Sequence, residues 1–381
     1  MTQVNQSIEI KPTEKWCDRD EHNVFEYFED FNDWLDSSEA LTLREEYNVN
    51  GISQPSKALF AGDKESYDVA FKKYRTERRH EVLNEHYLCD QFAGDHWFKR
   101  NLSRFDQLVE RMNAGEVVPF LGAGLSVAGG FPTWSTHLKQ QAKTAGINQQ
   151  DVEELLSQGA YEQVLEKIEN ERNRDVFIQE IKDVFSVTGK IAGSTFLLSE
   201  LFHDTIITTN YDQLIENAFD TGVEKPYQII SSNNALETPD PDCVTIIKLH
   251  GDIKSPAQCI LSKNQYDDAY GNDEIDLTLP IPKLLDYYYR NSNLLFLGCS
   301  LNNDRTVQVF KAIKENMAED YEGARHFSIE QSPEELDELE NRNAYLAALG
   351  ITAIWFEKGQ YDCVEAMLRL ARNEIRYRNA G

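Results

Sequence analysis

Six short runs of consecutive apolar, largely β-branched residues constrain this chain more than any other feature. They fall at residues 117–121, 205–209, 244–249, 293–298, 325–329 and 351–356. Several are apolar at successive positions rather than alternate ones, which a strand needs when both faces of its sheet are covered. Helix-like stretches separate most of them, and this alternation points to a doubly wound α/β architecture with a parallel sheet. Residues 151–185 are too long and too charged for a simple crossover, so a small helical module is expected over about 150–186. The first 110 residues have a different texture, rich in charge and aromatics. Residues 24–35 and 63–87 read as amphipathic helices, with a turn at 50–54. The chain is therefore expected to hold an α-helical N-terminal region over 1–110 and an α/β domain over 111–381.

Composition narrows the classes of function. The chain has 381 residues, 41% of them hydrophobic, enough for one large core or two smaller ones. It has no uninterrupted apolar stretch of the ~18 residues a membrane helix needs, and its polar first residues lack the apolar core of a secretory signal. A cytoplasmic protein is expected, with no membrane contact. The formal charge of −27 repels nucleic-acid phosphates and argues against direct DNA or RNA binding. Lys72, Lys73, Arg75, Arg78 and Arg79 form a local basic exception. They read as a solvated helix face, with a docking patch for an acidic partner as the alternative. The six cysteines, at 17, 89, 243, 259, 299 and 363, contain no C-x-x-C pair and are expected to be reduced. His80 and His86 lie six residues apart, ~240° around a helix, on the wrong side for a shared metal. No metal site is expected.

Four of the apolar runs end in residues suited to ligand chemistry. The first runs into Gly122-Ala123-Gly124-Leu125-Ser126, where glycines allow a sharp turn and close approach to a pyrophosphate. No G-x-x-x-x-G-K-[ST] occurs, which excludes a P-loop site. The third glycine, Gly129, comes too late for the dehydrogenase G-x-G-x-x-G, and no acidic strand end follows to hold a ribose. The second run ends in Thr208-Thr209-Asn210-Tyr211-Asp212. Its Asn and Asp can hold ribose hydroxyls or a water, or either can cap the helix that follows. The third ends in Leu249-His250-Gly251-Asp252, with a histidine placed to act as a general base. The fourth ends in Gly298-Cys299-Ser300, suited to contact with a nucleotide, and Asp304 beyond it can cap a helix. Parallel strands open their C-terminal loops on one edge, so all four can converge on one ligand.

Together these runs, FLGAGLS, TTNYD, KLHGD and LGCSLNND, resemble the Sir2 family over roughly residues 117–356. The resemblance implies a Rossmann-like NAD-binding domain with NAD+ as substrate. It implies Gly122, Ala123, Gly124 and Ser126 at the phosphates, Asn210 and His250 in catalysis, Asp212 beside the nicotinamide ribose, and Gly298 and Ser300 at the adenosine half. Phe131-Pro132-Thr133-Trp134 stands where deacylase sirtuins carry Pro-Asp-Phe-Arg; Pro132 matches, while the Asp and Arg do not. Deacylase sirtuins also carry two C-x-x-C zinc pairs after the His-Gly motif, whereas residues 251–295 hold only Cys259. The chain is thus more similar to the zinc-less Sir2-type NAD+ hydrolases of bacterial antiphage defence. Its helical N-terminal region resembles the Sir2 partner of a HerA-type ring ATPase, and a homo-oligomer is implied with it. Two other functions stay open at this point: an NAD+-dependent protein deacylase or ADP-ribosyltransferase, which would need an acceptor, and a non-catalytic module that assembles on sensing NAD+ or ADP-ribose.

Overall fold

The computed structural model describes residues 19–222, 225–231, 239–317 and 324–380. Cys17 and the polar start of the chain lie outside the described residues. The chain divides into two compact units: Met1–Leu102 with Ala366–Gly381, and Ser103–Glu365. The last turns of the final helix, Asp362–Asn379, therefore belong with the N-terminal unit rather than with the α/β domain that their sequence follows.

In the second unit, seven parallel strands form one sheet: β1 Val117–Leu121, β2 Thr205–Thr208, β3 Tyr227–Ser231, β4 Val244–Lys248, β5 Asn293–Leu297, β6 His326–Gln331 and β7 Ile351–Phe356. Their order is β3-β4-β2-β1-β5-β6-β7. Every residue of β4 and β5 is buried, as their unbroken apolar runs require. The chain leaves β1 toward β2, then returns past β1 to build the other side from β5. The direction of winding thus reverses between β1 and β5, where doubly wound sheets open a ligand crevice. β3 is the strand that the sequence pattern misses. It is an edge strand, only partly buried, and its run is short and carries Gln228 and Ser231.

The expected helical module is three helices, Gln149–Ser157, Tyr161–Glu171 and Arg174–Phe185. It reaches the segment after β5 through the Glu162–Arg305 pair and through Gly159. A Cβ on Gly159 would lie 2.9 Å from the amide nitrogen of Asp304 in the loop after β5.

The N-terminal unit is helical and holds its own core of Phe31, Leu35, Leu43, Val49, Leu59, Phe60 and Tyr67. The helix expected over 24–35 is two, Arg19–Glu26 and Glu29–Asp36. The break at Phe28 (φ −101°, ψ 24°) lets Phe25 pack on Phe60 while Phe28 packs on Phe71. The helix expected over 63–87 stops at Val82 and a second spans Glu85–Gln91. Asn84 between them is left-handed (φ 61°), a conformation asparagine tolerates and a continuing helix does not. His80 and His86 accordingly stand on different helices, and His80 bonds Glu85 at 2.9 Å.

The basic stretch is only in part a solvated face. Lys72, Lys73 and Arg78 are exposed, but Arg75 and Arg79 converge on the fully buried carboxylate of Glu374, at 2.5 and 3.1 Å. Glu374 sits on the final helix, which explains why that segment belongs to this unit. A buried carboxylate stripped of its partners costs about 3–5 kcal/mol. Replacing both arginines with methionine (R75M with R79M) should lower the stability of this unit by about that amount, whereas E374M added to the pair should recover much of it. Urea unfolding monitored on the N-terminal aromatics checks both.

Candidate active site

Strand register sets the height of each candidate residue above the sheet. Leu121 pairs with Thr208 and Leu297, and Thr208 pairs with Lys248. The four loops therefore leave the carboxyl edge at one level. Asn210 and His250 each lie two residues beyond a paired position on neighbouring strands.

The loops after β1 and β5 meet through glycine. Gly122 N–H donates to Leu297 O and Gly124 N–H to Gly298 O, both at 2.9 Å. A Cβ on Gly122 would stand 2.5 Å from Gly298 O, and Gly298 is left-handed (φ 67°), so both positions require glycine. The N–H groups of Gly122 and Gly124 are directed into the β5 loop and hold the two loops together. Beyond Gly298, Ser300 is exposed, and its carbonyl accepts from Arg342 Nη2 at 2.8 Å. The same guanidinium bonds Leu301 O and pairs with Glu330 at the end of β6, clamping this loop. Asp304 does cap the next helix, accepting from Val307 N–H at 3.0 Å, and burial pushes its carboxyl up to about 6.

The loop after β2 carries the centre of the site. Thr208 Oγ1 donates to Leu121 O and accepts Asn210 N–H, fixing the turn. Asn210 Nδ2 then donates to Gly122 O at 3.0 Å and to Ser126 Oγ at 3.1 Å. Ser126 Oγ donates onward to Asp212 Oδ2 at 2.8 Å. Asn210, Ser126 and Asp212 are 5%, 3% and 3% exposed. Ser126 is buried between the side chains of Asn210 and Asp212. Asp212 binds Ser126 and also caps the helix Leu214–Gly222 through Leu214 N–H at 3.0 Å. Asn210 Oδ1 is buried with no protein partner, so the amide keeps one acceptor unspent. Such an atom has a cost unless something donates to it.

His250 is 8% exposed, and its Nε2 lies 2.8 Å from the hydroxyl of Tyr270. Tyr266, Tyr270 and Tyr211 surround the imidazole, with ring centroids at 5.3, 6.0 and 6.4 Å. Sequence reasoning expects a histidine that titrates near neutrality. Burial instead pushes it down to about 4, so the ring is neutral at pH 7. Gly251 is left-handed (φ 93°), and a Cβ there would meet Cys259 Cα at 2.9 Å. Cys259 itself is buried, its Sγ 3.2 Å from Asp252 O. Among the described residues, no group of three or more His, Cys, Asp and Glu side chains gathers around a metal position.

Residues missed in the sequence join the loops that carry Asn210 and His250. Lys248 is fully buried, and its Nζ donates to Asp212 O at 2.6 Å, Tyr211 O at 3.3 Å and Glu216 Oε1 at 2.7 Å. Asp252 lies 3.3 Å away, and Gln213 bonds Asp252 at 2.8 Å. The β2 and β4 loops are thus held as one body. The signal was present: a lysine closing the apolar run VTIIK of a two-face-covered strand must find carboxylate and carbonyl partners. Tyr266 and Tyr270, at i and i+4 of the helix Lys263–Tyr270, were legible as one helical face, but not as the wall around His250.

The remaining candidate, Pro132, stands apart. It lines a depression of about 410 Å³ with Thr136, His137, Lys139 and Gln140, none of which is a predicted site residue. Its neighbours are fixed: Phe131 is buried, and Trp134 packs on His137 and Tyr211.

Residues 204–354 match the family described as a SIR2-like domain. That span includes the β2, β4 and β5 loops and leaves Gly122–Ser126 outside it. Three curated relatives are each named NAD(+) hydrolase ThsA. The protein of Cytobacillus dafuensis is 28% identical over 222 residues, 58% of this chain and 42% of its own length. That of Enterococcus faecium is 28% identical over 214 residues, 56% of this chain and 42% of its own. That of Bacillus cereus (strain MSX-D12) is 27% identical over 222 residues, 57% of this chain and 44% of its own. The chain spans less than half the length of these relatives. The Sir2 resemblance carried by the motifs is thus met over residues 204–354, which match a SIR2-like domain.

Three buried imidazoles link this unit to pH. His137 and His250 are pushed down to about 4 and His326 to about 3, each chiefly by burial, from an ordinary 6.5. Below pH 6.5 the unfolded chain takes up protons on these rings while the folded chain does not. Their contribution to stability is complete above pH 6.5 and is lost as pH falls toward 4, at up to about 1.4 kcal/mol per pH unit for each ring. His326→Phe should therefore flatten the loss between pH 6 and 4 by about one proton's worth. Urea midpoints measured across that range check it, and equal slopes in wild type and variant would count against it.

Proposed function

We propose that this SIR2-like chain is an NAD+ glycohydrolase, cleaving the nicotinamide–ribose bond to give nicotinamide and ADP-ribose. One observation carries the reading: the buried Asn210–Ser126–Asp212 chain, with Asn210 Oδ1 unspent, two residues above the sheet edge and level with His250 on the adjacent strand. The named activity of the relatives supports the same substrate.

The chemistry asks little of a protein. The C1′–N bond breaks with its electron pair, and the pyridinium leaves as neutral nicotinamide. The protein must steady an oxocarbenium-like ribose and deliver water. Asn210 Oδ1 accepts a hydrogen bond from a ribose hydroxyl or from the attacking water. His250, neutral at pH 7, takes the proton released as the water oxygen bonds C1′. Asp212 holds Ser126 and the helix start and does not transfer protons. Gly122, Ala123 and Gly124 provide the close approach for the pyrophosphate, and Gly298 and Ser300 that for the adenosine half. No metal enters the scheme.

The biological reading belongs to the same proposal: depletion of NAD+ in antiphage defence, in the cytoplasm, by a homo-oligomer working with a HerA-type ring ATPase. No described helix is long and apolar enough to cross a membrane. Light scattering on the purified chain should show more than one copy per particle; a fully active monomer would remove oligomerisation from the proposal.

His250→Ala and Asn210→Ala should each cut nicotinamide release from NAD+ by roughly 10²–10⁴, the usual share of a general base or a positioned dipole. Calorimetric binding of NAD+ should change far less. Water alone should support release, with no large gain from an acylated-lysine peptide. Near wild-type release by both variants would falsify the site assignment, and strong peptide stimulation would favour deacylation.

A further inference from the structure

Tyr270 stands outside the motifs, yet its hydroxyl is the group bonded to the ring of His250. It closes the helix Lys263–Tyr270 and is fully buried. Its hydroxyl lies 2.8 Å from His250 Nε2 and also meets the side-chain hydroxyl of Thr306. Its position is fixed from several directions. Arg305, the neighbour of Thr306, donates to Asp267 Oδ1 at 2.6 Å one turn earlier in the same helix. The same guanidinium donates to Gly271 O at 3.0 Å and Asn272 O at 3.1 Å immediately after it, and pairs with Glu162 of the helical module at 3.0 Å. Tyr270 O also accepts Asp276 N–H at 2.9 Å. A guanidinium spent on four acceptors around one tyrosine leaves that ring little freedom.

A neutral imidazole has one N–H and one bare nitrogen, and the bond made by one nitrogen decides the role of the other. Among the described residues, Nε2 is the ring nitrogen of His250 that forms a hydrogen bond, so Nδ1 is left to take a proton. A tyrosine hydroxyl can accept one bond and donate another. For His250 to keep a bare Nδ1, the hydroxyl must accept from Nε2–H and turn its own proton elsewhere. The reverse arrangement would place the only N–H on Nδ1 and occupy the only lone pair with tyrosine, leaving His250 without basic capacity.

We infer that Tyr270 is a positioning residue for His250, holding the Nε2–H tautomer so that Nδ1 faces the reacting ribose and water. It takes the place that a buried carboxylate holds beside the histidine of a hydrolytic triad, with a neutral partner in its stead. A neutral partner suits this site: burial already keeps the imidazole uncharged, and a carboxylate there would bring a further unpaired charge into an apolar wall.

The inference rests on His250 acting as the base, and two separate readouts keep the two ideas apart. The first needs no turnover: nitrogen-15 NMR of the full chain labelled at histidine, with His250 assigned from a His250→Gln sample. The wild type should show a protonated Nε2 and a bare Nδ1, and Tyr270→Phe should shift His250 toward a mixture of tautomers. The second is kinetic. Tyr270→Phe should lower kcat for nicotinamide release by about tenfold or more, part of the ~10²–10⁴ a general base supplies, with KM for NAD+ within about twofold. Thr306→Val should move both readouts the same way and less far. A wild-type His250 protonated on Nδ1, or a Tyr270→Phe protein with unchanged kcat, overturns the inference. Should His250→Ala keep wild-type release, the general-base reading fails by itself, whatever the tautomer.

Discussion

One buried hydrogen-bond chain organises the carboxyl edge of the sheet. Asn210 reaches back to Gly122 and Ser126, and Ser126 passes the connection to Asp212. Two loops and a helix are constrained at once: the loops after β1 and β2, and the helix that Asp212 caps. Each member is almost wholly withdrawn from water, where an unmet polar group costs about 1–3 kcal/mol. The arrangement is therefore close to all-or-none, and the single acceptor left over, Asn210 Oδ1, is a specific feature rather than slack. A ligand donating to that atom would recover the cost of its burial.

Around this chain the structure spends charge to fix distance. Lys248 lies inside a sheet whose other strand residues are mostly apolar, and its ammonium is tied to two backbone carbonyls and a carboxylate. Removing two charges from water is expensive, and such a pair adds little net stability compared with hydrophobic residues of the same volume. What it does provide is direction. The carbonyls of Tyr211 and Asp212 can meet Nζ only if the β2 and β4 loops hold one spacing, and that spacing separates Asn210 from His250. Arg305 does similar work on the other side, binding the helical module, the helix of Tyr266 and Tyr270, and the start of the helix after β5.

The chemistry assigned to His250 depends on its surroundings more than on its residue type. Three tyrosine rings and a depth of burial that keeps the imidazole neutral make it an acceptor at pH 7, at the expense of intrinsic basicity. An activated leaving group such as nicotinamide tolerates a weak base, since the proton need only be removed as water attacks an already electron-poor carbon. The absence of C-x-x-C pairs after His250 fits the same picture. The segment between β4 and β5 is given to the helix of Tyr266 and Tyr270 and to Pro280–Asn291, not to a metal module.

By itself the sequence determined the class of fold and the sheet edge on which the candidate residues gather. Unbroken apolar runs can be satisfied only between two covering layers, so six of the seven strands, their parallel sense and the shared side of their C-terminal loops were legible from local pattern. Helix interruptions at Phe28 and Asn84 and the edge strand Tyr227–Ser231 were not, because they answer to packing partners far away in the chain. The identities of Asn210, Asp212 and His250 could be read, but not their states. That Ser126 faces inward, that Asp212 is dry, that Gly122 and Gly124 spend their N–H groups on the β5 loop, and that Tyr270 holds His250 were decided only by tertiary structure. Each depends on which carbonyl, hydroxyl or ring the fold brings within about 3 Å, and over separations of 20 to 175 residues no periodicity in the chain encodes that distance.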